Sequence, residues 1–194
     1  PLTCLRMLKK IVAIGPESTG KSSLCEQLAK HYNTLWCPEY AREYLTLHGM
    51  NYRYEDLFTI AKAQIELEEK CESLVRGRES AVKSPTNSFT TDDPQLATDN
   101  SLLFIDTDMY VMKVWCEYVF GMCHQFILDQ IAERKYDLYL LCNIDLPWVH
   151  DDLREYPEEA PRKELYQIYK NILINRPTPW VEMSGGEYEK RLQK

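Results

Sequence analysis

Gly15-Pro16-Glu17-Ser18-Thr19-Gly20-Lys21-Ser22 satisfies every fixed position of the pattern Gly-x4-Gly-Lys-Ser/Thr. Its glycines let the backbone turn tightly enough for N–H groups to surround phosphate oxygens, and a helix that follows directs its positive end at them. Residues 11–14, just before, form a short apolar run closed by Gly15, which reads as a buried strand. Just after, Leu24, Leu28 and Tyr32 recur at i, i+4 and i+8 and mark one face of a helix ending near Asn33. Strand, loop and helix therefore come in the order a nucleotide cradle requires. The pattern predicts that residues 15–23, through Ser23, hold ATP, with Lys21 on the β and γ phosphates and the Ser22 hydroxyl on Mg²⁺.

Outward from this loop, short apolar runs at 35–37, 102–105, 138–142 and 180–183 read as further strands. Helical spacing is predicted over 54–75, 110–119, 123–134 and 163–173, and Ser184 with Glu187 forms a capping box opening a last helix. Glu66, Glu68 and Glu69 are expected on a solvated face of the long helix. Strands alternating with helices predict a three-layer α/β P-loop domain, a parallel sheet of about five strands with helices on both faces. The 194 residues fit a single domain, 1–194. Residues 77–101, dominated by Ser, Thr, Asn, Asp and Pro without periodicity, are expected to be a disordered insertion within it.

A net charge of −7 argues against a polyanionic partner, so nucleic acid is not expected. No uncharged apolar run reaches the roughly 18 residues of a membrane span, and no secretory-type segment opens the chain; a cytoplasmic setting without membrane contact is the expectation. Seven cysteines fall at 4, 25, 37, 71, 116, 123 and 142 without a Cys-x-x-Cys pair, which predicts free thiols. Cys116, Cys123 and His124 lack the second ligand pair of a structural zinc site and read as packing residues. Oligomeric state is not legible.

Asp106 directly follows the strand at 102–105, the place of a carboxylate that holds Mg²⁺. Asp108 is a secondary candidate for this site and equally a helix N-cap. Residues 38–44 follow the second strand, at the carboxyl edge where open α/β sheets build their sites. There Glu39 could accept a proton from an attacking hydroxyl, Arg42 could pair with a carboxylate or phosphate, and Tyr40 and Tyr44 could line a ring pocket or lie on a surface. Arg154 and Arg162 flank a stretch of mixed charge and proline between the fourth strand and the next helix, suited to a cover over a phosphoryl group or to solvated ion pairs.

Taken together, these segments resemble the ribosylnicotinamide kinase domain of the NadR type. The resemblance rests on GPESTGKS at 15–22, PEYAREYL at 38–45, FIDTD at 104–108, KVW at 113–115, FG at 120–121, YDLYLL at 136–141 and PWV at 147–149. It implies a nucleoside-kinase-like P-loop fold that moves the ATP γ-phosphate to the 5′-hydroxyl of nicotinamide riboside. It further implies Glu39 as the strand-end carboxylate near that hydroxyl, Arg154 and Arg162 as lid arginines, and Gly185 and Gly186 as part of the adenine-side loop. The pyridinium ring of this substrate is a permanent cation, for which Tyr40, Tyr44, Trp115 and Trp148 are the aromatic candidates. Asp151-Asp152-Leu153-Arg154 departs from the family in lacking a glycine after the first aspartate, and Pro161 precedes Arg162 where a second arginine is common. No His-x-Gly-His adenylyltransferase signature occurs. A kinase for another nucleoside or small metabolite, and a regulatory ATP-sensing module, are the alternatives.

Overall fold

Five strands, β1 (Lys9–Ile14), β2 (Leu35–Cys37), β3 (Leu102–Asp106), β4 (Leu138–Cys142) and β5 (Trp180–Met183), form one sheet in the order β2-β3-β1-β4-β5. Every adjacent pair is parallel. Six helices connect them among the described residues: α1 (Lys21–His31), α2 (Tyr40–His48), α3 (Tyr54–Val82), α4 (Met109–Phe120), α5 (Gln125–Glu133) and α6 (Glu159–Ile174). This computed structural model describes residues 7–82, 101–156, 158–186 and 191.

Strand side chains alternate between faces, and the central strands are apolar on both. Val12, Ile14, Leu103, Ile105 and Leu141 face one cluster, with Val75 of α3, Val114 of α4 and Leu173 of α6. Ala13, Phe104, Leu140 and Cys142 face the other, closed by Leu24, Cys25 and Ala29 of α1. The three-layer α/β architecture expected from the sequence is thus present. A satellite cluster joins α2 to α5 through Leu57, Ile60, Met112 and Ile127.

Two readings are corrected. Helix α3 continues to Val82, so the segment expected to be an insertion opens as helix, and Ser101 at its other end is buried, its carbonyl accepting from Lys9 N–H at 2.6 Å. Residues 83–100 lie outside the described residues, as does Glu187 of the capping box. Glu68, expected on a solvated face, is 1 % exposed. Its carboxylate pairs with Lys10 Nζ and Arg134 Nη1, both at 3.1 Å, and accepts from Tyr136 Oη at 3.0 Å. A buried charge persists when it is paired and hydrogen-bonded, and here three partners from β1 and the α5–β4 connection satisfy it.

Asp108 caps α4: its Oδ1 accepts from Tyr110 N–H at 2.9 Å and Val111 N–H at 3.4 Å, while Oδ2 accepts from Tyr139 Oη at 2.8 Å. Burial raises its carboxyl to about 7, against the lowering effect of these donors. With the folded value raised, the folded state holds a proton that the unfolded chain loses above pH ~4, so this group's contribution to stability declines from about pH 4 to 7. Asp108→Asn keeps the cap and removes the titration, and its stability relative to the native chain is expected to rise across that range. Asp108→Ala loses the cap and leaves Tyr139 Oη unpaired, a loss of about 1–3 kcal/mol. Urea unfolding at pH 4.5 and 7.5 checks both; equal pH dependence in the native and Asn chains overturns the assignment.

Candidate active site

The loop between β1 and α1 is built on left-handed backbone. Gly15 sits at φ 143° and Gly20 at φ 76°, and a Cβ on Gly15 would lie 2.7 Å from the Cys142 carbonyl oxygen, so the first glycine serves both conformation and close approach to β4. Thr19 Oγ1 donates to the Pro16 carbonyl at 2.8 Å and stiffens the turn. Lys21 curls back over the loop, Nζ donating to the Gly15 and Pro16 carbonyls at 3.1 and 2.9 Å. Arg191, 2 % exposed, ties the loop down from behind, donating to Thr19 O at 2.5 Å and Asn143 O at 2.9 Å and pairing with Asp145. Asp145 Oδ2 in turn accepts from Gly185 N–H at 2.6 Å.

At the end of β3, Asp106 is fully buried near Ser22. Burial, and next the charge of Glu39, raise the Asp106 carboxyl, while Lys21 and Ser22 oppose the rise. Asp106 Oδ2 is buried with no hydrogen-bond partner. Thr107, next in the chain, adopts φ 76°, a strained value for a β-branched residue, and its hydroxyl lies 3.4 Å from both Glu39 Oε1 and Asp106 Oδ1. An unpaired buried carboxylate oxygen beside a serine hydroxyl fits a Mg²⁺ ion completed by phosphate and water. No cluster of three or more His, Cys, Asp or Glu suited to a metal exists among the described residues.

A loop after β4 crosses to this phosphate loop. Ser18 Oγ accepts from Val149 N–H and Arg154 Nη1, both at 3.1 Å, and Glu17 Oε2 accepts from Glu155 and Tyr156 N–H at 2.9 and 3.3 Å. Asp151 pairs with Arg42 at 2.9 Å and lies 3.7 Å from Arg154. Arg162 stands in the first turns of α6, not in the loop. It is 5 % exposed, and its Nε and Nη2 are buried without a partner. Burial lowers its pKa, with Glu159, Arg154 and Glu17 as its charged neighbours.

These elements enclose a cleft of about 370 Å³. Of the residues singled out in the sequence, 15–23, Glu39, Arg42, Trp115 and Arg154 line it. Asp108 is taken up by its cap. Tyr40 gives its N–H to Gln64 at 2.7 Å and packs toward the satellite cluster, Tyr44 Oη donates to Asp56 at 2.9 Å, and Trp148 sits edge-on to His150 at 5.8 Å, so none of these three faces the cleft. Gly185 and Gly186 lie beside Asp145, away from the cleft lining. Sequence reasoning missed Tyr118, Glu155 and Tyr156, which do line it. Tyr118 and Tyr156 meet edge to face at 5.5 Å. Glu155 is held by Tyr52 Oη at 2.8 and 3.0 Å, and Tyr52 accepts from Trp115 Nε1 at 2.9 Å.

A family model described as "AAA domain" matches residues 10–191, nearly the whole chain. The chain belongs to that family. This AAA domain is 27 % identical over 188 residues to the trifunctional NAD biosynthesis/regulator protein NadR of Escherichia coli and, at the same identity, to that of Salmonella typhimurium. The match covers 95 % of this chain and 40 % of either relative, so the chain spans well under half the length of the curated relatives it matches. Among solved structures, NadR in complex with NR superposes with a TM-score of 0.61 at 20 % identity, over 92 % of this chain and 45 % of that one. NadR with NAD and AMP-PNP gives 0.59 at 21 %, over 93 % and 46 %. Thymidylate kinase from Ehrlichia chaffeensis gives 0.50 at 13 %, over 94 % and 91 %. At these identities the structural likeness speaks for the fold, a P-loop nucleotide-binding fold of kinase type, in agreement with the resemblance read from the sequence. No described helix is long and apolar enough to cross a membrane.

Proposed function

We propose that this AAA domain transfers the ATP γ-phosphoryl group to the 5′-hydroxyl of nicotinamide riboside, giving nicotinamide mononucleotide and ADP. One observation carries the reading: the cleft that contains the phosphate loop and Glu39 is also lined by Trp115, Tyr118, Tyr156 and Glu155. Aromatic rings and a carboxylate suit a pyridinium, a permanent cation that neutral nucleosides lack. The likeness to NadR, known in complex with NR, supports the same acceptor.

In this reading the loop amides and Lys21 hold the triphosphate, and Arg154 and Arg162 neutralise charge on the transferring phosphoryl group. Glu39 takes the proton of the attacking hydroxyl; Thr107, at 3.4 Å, orients it. Ser22 and Asp106 would hold Mg²⁺, which when bound would supply charge neutralisation on the phosphate oxygens. The fit of Asp106 rests on its unpaired buried oxygen. The leaving group is ADP, and the bond formed joins the γ-phosphorus to the ribose 5′-oxygen.

ADP release measured with nicotinamide riboside, uridine, cytidine and a deoxynucleoside tests the claim. Nicotinamide riboside is expected to exceed the neutral nucleosides in kcat/KM by at least about tenfold, the value of a cation–π contact beyond 1.4 kcal/mol. Comparable turnover of uridine or cytidine would make this a general nucleoside kinase. ATP binding without acceptor-dependent turnover would make it a regulatory nucleotide-binding module.

A further inference from the structure

Glu17 occupies one of the positions that the phosphate-loop pattern leaves free, yet its side chain is engaged by the segment that crosses the loop. A single oxygen, Oε2, accepts the backbone N–H of Glu155 at 2.9 Å and of Tyr156 at 3.3 Å. Those two residues line the cleft, Glu155 braced by Tyr52 and Tyr156 set against Tyr118. The next loop residue, Ser18, does the same for the earlier part of the crossing segment, through Val149 N–H and the Arg154 guanidinium. Burial raises the Glu17 carboxyl, with the Tyr156 and Glu155 amides opposing the rise. Partial burial of a carboxylate costs free energy that charge-assisted bonds from two amides offset. A glutamate that only filled space at the loop surface would face solvent.

We propose that Glu17 is a positioning residue that couples the ATP-binding loop to the acceptor end of the cleft. By fixing the 155–156 backbone on the phosphate loop, it sets the Glu155 carboxylate and the Tyr156 ring where the acceptor base is read. The sequence pattern assigns Glu17 only to the nucleotide. Here its side chain acts on the other substrate. The inference rests on the kinase reading above, because it concerns how the acceptor is held.

Three substitutions separate charge, reach and acceptor capacity. Glu17→Gln keeps an acceptor oxygen at the same reach, so hydrogen exchange of the Glu155 and Tyr156 amides is expected to stay within about threefold of the native chain. Glu17→Asp keeps the charge but falls one methylene short, and Glu17→Ala removes the acceptor. Both should raise the KM for the acceptor by roughly thirtyfold, the loss of about two net hydrogen bonds, with the KM for ATP within about threefold. Hydrogen exchange of the Glu155 and Tyr156 amides, followed on the protein without any acceptor, should speed up by at least about tenfold in the Asp and Ala chains, and not in the Gln chain. That measurement does not depend on which acceptor is correct, so failure of the nicotinamide riboside reading leaves it intact. Unchanged exchange in Glu17→Asp would overturn the proposal, as would a rise confined to the KM for ATP. Should Glu17→Ala fail to fold, the contrast between Gln and Asp decides alone.

Discussion

Replacing Arg162 by leucine is expected to lower turnover about a thousandfold while leaving the protein at least as stable as before. Arginines that clamp a transferring phosphoryl group are worth on the order of 10³ or more in rate. The stability half follows from burial: this guanidinium is 5 % exposed, yet Nε and Nη2 meet no acceptor. An unpaired buried polar group costs about 1–3 kcal/mol, and leucine on the same helix face removes that cost while retaining most of the packing. Most mutations of a buried arginine break a pair and destabilise; this one removes two buried donor nitrogens that no protein acceptor meets. Arg162→Lys should recover little of the rate, since an ammonium cannot reproduce the planar fork. Steady-state ADP release and urea unfolding without nucleotide measure the two halves. A loss of stability above about 2 kcal/mol would make Arg162 a structural residue, and near-native turnover would remove it from the chemistry.

How much of this was readable beforehand depended on how local each signal is. The phosphate loop and the five strands were legible because a contiguous pattern specifies them, down to Gly15, whose missing Cβ is required by Cys142 across the sheet. Glu68 was misread because its partners, Lys10 and Arg134, are separated from it by 58 and 66 residues, and no helical periodicity marks a buried carboxylate. Arg191 went unnoticed for the same reason, being 172 residues from the Thr19 carbonyl it holds. The four aromatic candidates came from matching segments, and only Trp115 reaches the cleft. Tyr40 and Tyr44 begin α2, where the helix turns their backbone and hydroxyl groups toward Gln64 and Asp56 of α3. Tyr156 and Glu155 lie in a loop without periodicity, and what brings them into the site is Glu17, a residue that the loop pattern does not constrain.

Lys21→Ala is expected to lower kcat/KM for ATP by about 10²–10³, the scale of one preorganised charged donor at developing phosphate charge, with little effect on the fold. Without nucleotide, Lys21 Nζ spends its donors on the Gly15 and Pro16 carbonyls of its own loop, at 3.1 and 2.9 Å. Thr19 and Arg191 hold this turn independently, Thr19 Oγ1 donating to the same Pro16 carbonyl, so loss of the ammonium is expected to cost only about 1 kcal/mol. The separation is visible in melting experiments. A nucleotide analogue at a hundred times its Kd should stabilise the native chain by about 2.7 kcal/mol, and the alanine chain should lose most of that shift while melting at nearly the same temperature alone. The two differ in sign: removing Lys21 costs about 1 kcal/mol of stability, whereas removing Arg162 costs nothing or raises it, because Lys21 Nζ has protein acceptors and Arg162 Nε and Nη2 have none. Near-normal turnover in Lys21→Ala would mean that the loop at 15–22 does not cradle the phosphates, and the roles assigned to Ser22, Asp106 and Glu39 around it would fall with it.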